Sequence, residues 1–281
     1  RTGEAIGLAG DGPGQCAMNA SVASPHDAMG KVPQVTLLFW LIKIAATTLG
    51  ETGGDAVSMS WLGETTPGAT GYGYLVGTAI FAAVFALAVW AQIRATRFRP
   101  FLYWTTIIAS TTVGTTLADY VTRSLGIGYA GGSTLLLALV LGSLWWWKHA
   151  LGTVSVDSVA DPTSEVFYWL TIMCSQTLGT ALGDWVADTA GLGYTGGMLV
   201  FGGLLALIAA LYRWSKVSHT LLFWAAFILT RPLGAVLGDF LDKPLAKGGL
   251  ELSRYGASFA LLACIVACIV LFPQRAARRA H

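Results

Sequence analysis

The chain has 281 residues, of which 54% are hydrophobic and only 11% charged, with 34 glycines and 11 tryptophans. Soluble globular domains carry roughly 25% charged residues, so this composition excludes one or two ordinary soluble domains and points to helices packed in lipid. The formal net charge of +2 decides nothing as a total; the placement of Lys and Arg along the chain does.

Residues 1–34 are rich in Gly, Ala and Ser, hold no run long enough to cross a membrane, and lack a charged–apolar–cleavage pattern. They read as a flexible N-terminal tail, with Met29 a candidate start. Apolar runs of about the ~20 residues that a spanning helix needs then follow at 35–59, 73–93, 101–122, 129–147, 166–187, 194–214, 219–241 and 253–272. Thr65-Thr66-Pro67-Gly68 and Arg97-Phe98-Arg99-Pro100 separate the first runs. The longest connection, 148–165, carries Asp157, Asp161 and Pro162. Residues 274–281 form a basic C-terminal tail. The expected transmembrane domain is therefore 35–273, in repeats at about 35–93, 101–147, 166–214 and 219–272.

Positive charge sets orientation. Lys31, Arg94, Arg97, Arg99, Lys148, Arg213, Lys216, Arg275, Arg278 and Arg279 fall on one side of the eight spans; Arg123, Lys243, Lys247 and Arg254 fall on the other. The first side is the cytoplasmic one, with both termini inside. In a bacterial cell this is a multi-pass protein of the inner membrane.

One frame returns four times: an aromatic-Trp pair, a Gly ten residues after the Trp, and an Asp five residues later. The copies are Trp40–Gly50–Asp55, Trp104–Gly114–Asp119, Trp169–Gly179–Asp184 and Trp224–Gly234–Asp239. All four lie on odd-numbered helices, so they run in the same direction. The even helices open near Gly73-Tyr74, Gly128-Tyr129, Gly193-Tyr194 and, more loosely, Tyr255-Gly256. The expected fold is an all-α membrane protein: eight transmembrane helices, as four repeated parallel helix hairpins around a pseudo-symmetry axis normal to the membrane.

Gly50, Gly114, Gly179 and Gly234 begin small-xxx-small spacings that bring transmembrane helices close. Pro232 frees a backbone carbonyl inside its span, suiting a break or hinge. The Trp residues are expected at the cytoplasmic aromatic belt. Fifteen residues at 1.5 Å each then put every Asp about 22 Å away, in the outer third of the bilayer. A polar stripe runs toward the first three Asp residues: Thr48 and Glu51 before Asp55, Thr112 and Thr115 before Asp119, Thr177 and Thr180 before Asp184, with Pro232 and Ala235 at these positions before Asp239. Thr48, Thr112 and Thr177 fall near the midplane.

Intramembrane carboxylates are costly and face a partner or an ion path. Asp119 and Asp239 each have a cation four residues on, Arg123 and Lys243, and local ion pairs would account for them. Asp55 and Asp184 have Met59 and Asp188 at that position, and Glu51 has no cation on its own helix face. Lys43 is close enough to Trp40 to snorkel, whereas Arg231 lies deep and needs an internal carboxylate. Carboxylate and hydroxyl oxygens suit hard cations such as Mg²⁺ or Mn²⁺, and the stripe has no His or Met for copper or zinc. Titration of one carboxylate would allow proton coupling.

Cys174, Cys264 and Cys268 lie in apolar spans and Cys16 in the tail, without metal-ligand spacing. No HExxH, GxSxG or Walker-type sequence appears. Leu182-Gly183-Asp184 and Leu237-Gly238-Asp239 superficially resemble the GxGD element of intramembrane aspartyl proteases, but the preceding Gly-x is missing. A non-enzymatic protein is expected.

The paired segments LGTALGDWVADTAGLGYTGG at 178–197 and VGTTLADYVTRSLGIGYAGG at 113–132 resemble a bacterial family of repeat-containing integral membrane proteins, described as membrane-anchored. The resemblance covers about 31–273 and implies no functional residues. The site itself points to a transporter for a hard cation, divalent by preference, with Asp55, Asp119, Asp184, Asp239 and Glu51 as ligands. Thr48, Thr112, Thr115, Thr177 and Thr180 would extend the path, with Arg231 as internal charge partner. No covalent cofactor is expected, and a bound divalent cation is compatible. The expected partners are the lipid bilayer and metal cations or protons, not nucleic acid; a homo-oligomer stays open. The alternative is a non-transporting assembly or scaffold protein whose acids make structural interhelical bonds.

Overall fold

The computed structural model describes residues 31–156, 159 and 161–277; Cys16, Met29 and Asp157, and most of the two expected tails, lie outside them. Four inner helices carry the Trp-Gly-Asp frames: α1 (Leu37–Asp55), α3 (Pro100–Asp119), α5 (Pro162–Asp184) and α7 (His219–Asp242). Four outer helices alternate with them: α2 (Tyr72–Arg94), α4 (Gly128–Leu151), α6 (Gly193–Trp214) and α8 (Arg254–Leu271).

Local chemistry sets the helix ends. Thr36 accepts the Phe39 amide to cap α1. A proline opens α3 and α5, where its missing N–H would have been unpaired anyway. Asp161 and Ser164 close a reciprocal capping box ahead of α5. In the first three repeats the inner helix widens immediately after its Asp into a π-helical turn, at Ala56–Trp61, Tyr120–Ser124 and Trp185–Thr189. The amides of Leu62, Leu125 and Ala190 there reach back five residues. The fourth repeat departs: α7 stays α-helical to Asp242 and stops before Pro244, since a residue ahead of proline disfavours helical backbone. Pro232 lies inside α7, yet the helix runs on through it, so the expected break is not an interruption.

The four inner helices form a closed ring, each packed on the next and α7 back on α1. The glycines show why the ring is tight. A Cβ on Gly50 would collide with Thr111, one on Gly114 with the Gln176 backbone, one on Gly179 with Arg231 and one on Gly234 with Thr47. Each repeat's glycine thus faces the residue seven beyond the Trp of the next repeat, and the fourth faces the first. A second set follows one turn on, where Gly54, Gly183 and Gly238 face Thr115, Ala235 and Glu51.

The hairpin expectation needs correcting. The two helices of a repeat are joined in sequence but make little contact; α2 packs on α3, α4 on α5, α6 on α7, and α8 returns to α1. The wide π turn or loop carries the chain sideways, so each outer helix covers the inner helix of the following repeat. Small residues mediate these seams: Gly77 faces Thr116, Gly197 faces Val236, and Ser258 donates to Thr52 at 2.9 Å.

Five helices, α2, α4, α6, α7 and α8, are long and apolar enough to cross a membrane, indicating a multi-pass membrane protein. The other three, α1, α3 and α5, are inner helices whose Thr, Gly and acidic residues are covered by protein, which lowers their hydropathy without exposing polar groups to lipid.

The tryptophans are not the interfacial anchors expected. Trp104, Trp169 and Trp224 are buried because the inner ring turns them against neighbouring helices. Phe39 packs at an angle against Trp104, Tyr103 against Trp169, Tyr168 against Trp224 and Phe223 against Trp40, with centroids 5.5 to 6.3 Å apart. This closed aromatic belt seals one end of the ring. Beside it, residues assigned to the two tails pair with each other: Gln34 donates its amide to the Arg275 carbonyl at 2.8 Å and Ala277 to the Val32 carbonyl at 2.9 Å.

Gly114→Ala is expected to lower stability by about 1–3 kcal/mol, the usual cost of overpacking, because its Cβ would lie 2.8 Å from the Gln176 carbonyl carbon. Gly142→Ala meets nothing within 4 Å and should melt at or above the wild-type temperature. Thermal unfolding of the two purified proteins in detergent checks the contrast.

Candidate functional site

Counted from the Trp of each repeat, residues at plus three, seven, eleven and fifteen stack as four layers inside the ring, and none is more than 3% exposed. The first holds Lys43, Ile107, Ile172 and Phe227. The second holds Thr47, Thr111, Gln176 and Arg231. The third holds Glu51, Thr115, Thr180 and Ala235, and the fourth the repeated Asp55, Asp119, Asp184 and Asp239. A spacing of four follows the ridge that runs obliquely over a helix surface, so inclined helices keep these side chains toward the centre.

Lys43 does not snorkel. It is fully buried, with its ammonium 4.1 Å from the centroid of the Phe227 ring and no hydrogen-bond partner among the described residues. The aromatic belt closes the route outward, and the ring face offers the charge a partial substitute for water.

Arg231 organises the next level. Its Nη2 lies 2.9 Å from Glu51 Oε2, 2.6 Å from Thr115 Oγ1 and 2.5 Å from Thr180 Oγ1. Thr115 also donates to Glu51 at 3.2 Å. One residue from each of α1, α3 and α5 therefore meets the guanidinium from α7, where the fourth repeat contributes only Ala235. Thr48, Thr112 and Thr177 are not part of this arrangement. Their hydroxyls donate to the carbonyls of Ile44, Ile108 and Met173 on their own helices, because they stand one residue off the axial row.

The four Asp residues divide into two matching halves. Arg123 from the second repeat places Nε 2.9 Å from Asp119 and Nη2 3.1 Å from Asp184. Lys243 from the fourth lies 3.1 Å from Asp239 and also contacts Asp55. Each cation thus joins the Asp of its own helix to that of the next. Asp55 and Asp184, which have no cation four residues on, take one from a neighbouring helix, so pairing accounts for all four Asp residues. Beyond Lys243, Asp242 accepts from Arg254 at 3.0 Å.

Charge is still not balanced in these two layers. Five carboxylates, Glu51 and the four Asp, face three cations, Arg123, Arg231 and Lys243; counting Lys43 leaves one negative charge over the whole column. Several buried oxygens also lack hydrogen-bond donors among the described residues: Asp55 Oδ1, both Asp119 oxygens and Asp239 Oδ1. The ion pairs to Asp119 and Asp239 are close without being hydrogen-bond aligned. On the α1–α7 side, Glu51, Asp55 and Asp239 can each offer an oxygen such that all three lie within 4.8 Å of one another. Hard cations are held by such carboxylate sets.

Sequence reasoning missed the second-layer residues Thr47, Thr111 and Gln176 and the bridging role of Arg123 and Lys243. It also took the Gly-Tyr elements for helix openings alone. Tyr74 and Tyr194 are buried, on outer helices that cover the following repeat, and lie within electrostatic reach of Asp119 and Asp239. The signal was in the frame itself: extending each copy to plus seven and plus nineteen aligns Thr47, Thr111, Gln176 and Arg231, and Arg123 and Lys243.

The family described as Repeat of Unknown Function (DUF347) matches residues 38–98, 102–153, 167–218 and 222–275. Each match spans one inner and one outer helix, and together they cover most of the chain, which therefore belongs to this repeat family. No curated protein and no solved structure matches it.

Glu51→Gln and Arg231→Met should each destabilise the protein by about 3–5 kcal/mol, since each strands a buried charge. The double variant Glu51→Gln/Arg231→Met should lose clearly less than the two single losses added. Melting temperatures of the four proteins test this, and strictly additive losses would mean that the pair does not act as a unit.

Proposed function

We propose that the eight helices span the bacterial inner membrane with both termini in the cytoplasm, and that the protein transports a hard cation, preferentially divalent such as Mn²⁺ or Mg²⁺. The orientation follows from Lys and Arg concentrated toward the Trp-bearing end. The observation that carries the transport reading is the surplus of buried carboxylates over cations in the Glu51 and Asp layers, with oxygens that no donor among the described residues satisfies. A buried carboxylate in a bilayer is retained at considerable cost, and a surplus of them requires a further positive charge. Either a metal ion or bound protons can supply it.

In this reading Lys243 is a resident cation. An entering ion takes over the oxygens of Asp55 and Asp239, and the ammonium withdraws along its flexible stem toward Asp242. Protonation of the carboxylate surplus would couple ion release to a proton gradient. The aromatic belt closes the opposite end of the column, so access there requires the belt to part. Pro232, which has no N–H to donate to the Ile228 carbonyl, offers α7 a place to flex.

One observation favours the second reading, a non-transporting scaffold: every carboxylate of the site already contacts a cation across or along a helix. The two readings separate in proteoliposomes. Wild-type protein should move Mn²⁺ or Mg²⁺, with flux falling roughly tenfold or more in Asp55→Asn and Asp239→Asn, as expected for loss of about 1.4 kcal/mol or more of ion binding. Lys243→Gln should tighten ion binding about tenfold by removing the competitor. If wild-type vesicles move no metal ion or proton while the variants only lose stability, the scaffold reading replaces transport.

A further inference from the structure

The outer end of the fourth repeat is built unlike those of the first three. α7 has no π turn, and the chain beyond it, residues 243–253, folds back over the helix end as a strap. The amides of Leu250, Glu251 and Leu252 donate to the carbonyls of Phe240, Lys243 and Leu241 at 2.7 to 3.0 Å. A side chain on Gly249 would strike the Lys243 carbonyl, so the strap lies directly on the residue whose ammonium enters the Asp layer. Glu251 is held at a φ of +54°, a left-handed conformation uncommon for a residue with a side chain.

The strap ends at Arg254, which opens α8 and ties two neighbours together. Its Nη1 donates to Ser60 Oγ at 2.9 Å, on the π turn after α1, and its Nε to Asp242 Oδ2 at 3.0 Å. The other oxygen of Asp242, Oδ1, is buried without a hydrogen-bond donor among the described residues. It lies 4.0 Å from Lys243 Nζ, which contacts Asp55 and sits 3.1 Å from Asp239. Asp242 therefore stands between two cations, one bonded to it and one roughly 1 Å beyond hydrogen-bond range. No group from outside has to reach the buried oxygen, since its second partner is already beside it.

We propose that Arg254, acting through Asp242, positions the Lys243 ammonium and so sets how readily the inner carboxylates are released. While Arg254 neutralises Asp242, Lys243 is drawn inward to Asp55 and Asp239. When the tip of α8 lifts and takes Arg254 with it, Asp242 becomes an unneutralised carboxylate beside the ammonium. Opposite charges attract strongly where water is scarce, and Lys243 moves outward onto Oδ1. Arg254 is a positioning residue in this arrangement, since its ion pair is to Asp242 and not to the repeated Asp residues. Its bearing on ion binding rests on the reading of Lys243 as a displaceable cation; the position of the ammonium does not.

The test acylates the purified full chain in detergent with a water-soluble N-hydroxysuccinimide ester. Peptide mass spectrometry then follows Lys243 against the exposed Lys247. Arg254→Gln should label Lys243 several-fold faster than wild type, whereas Arg254→Lys keeps the charge and should label it at the wild-type rate. Asp242→Asn removes the outer partner and should not speed labelling, nor should Arg254→Gln in the Asp242→Asn background, because the two residues act as a unit. A merely loosened helix end would speed labelling in every variant that breaks the ion pair. That result overturns the proposal, as does a wild-type rate in Arg254→Gln. Mn²⁺ titration of the same proteins reads the consequence for the ion. Arg254→Gln should bind Mn²⁺ more tightly than wild type, approaching the gain of about tenfold expected of Lys243→Gln, and Asp242→Asn more weakly. Faster labelling of Arg254→Gln with an unchanged Mn²⁺ affinity overturns the link to ion release. If labelling follows the expected pattern while no protein binds Mn²⁺, the positioning by Arg254 stands and the transport reading falls.

Discussion

The molecule depends on one contact made four times, a glycine of each inner helix against the residue seven beyond the Trp of the next. No side chain fits at Gly50, Gly114, Gly179 or Gly234 without displacing the neighbouring helix. The close approach draws four polar stripes into a common column, which gives their side chains partners other than lipid. Apolar attraction cannot supply this closeness inside a bilayer, where lipid tails are as apolar as leucine. Shape has to supply it, and glycine is the residue whose shape permits it.

Charge arrangement follows from that geometry. Once four Asp residues share one level, their repulsion must be relieved, and the chain does so with cations in only two of the four repeats. Met59 and Asp188 stand where Arg123 and Lys243 stand in the others. The backbone keeps an approximate fourfold plan while the electrostatics have a twofold one. Glu51 and Arg231, each found in a single repeat, reduce the symmetry further and add one acid and one base to the α1–α7 side. The four repeats are thus distinguished from one another by different residues at a few equivalent positions.

Much of this was legible in the sequence. The helix number, the fourfold repeat and the shared direction of the inner helices follow from apolar runs and the spacing of Trp, Gly and Asp. The limits are also physical. The residue four beyond Asp55 is Met59, and its actual partner, Lys243, lies almost 190 residues later in the chain. The stripe traced through Thr48, Glu51 and Asp55 used the face of an isolated upright helix, whereas the packed ring follows Thr47, Glu51 and Asp55. Trp at the end of an apolar run has two destinations, the lipid interface or an inner belt, and the choice depends on which helices lie outside. Nothing local to a repeat reveals that its second helix will cover its neighbour.

That last arrangement has a consequence for how the chain is cut. Each outer helix belongs by sequence to one repeat and by packing to the next, and α8 completes the pattern on α1. With residues 32–34 paired to 275–277, the two ends of the described chain stand side by side. The joint between the fourth repeat and the first is therefore spatially equivalent to the covalent links between the others. In a circle of interlocked units the starting point is arbitrary: a circular permutant opened between α2 and α3, its old ends joined, would trace the same ring. What no cut can do is free a single repeat with its packing intact.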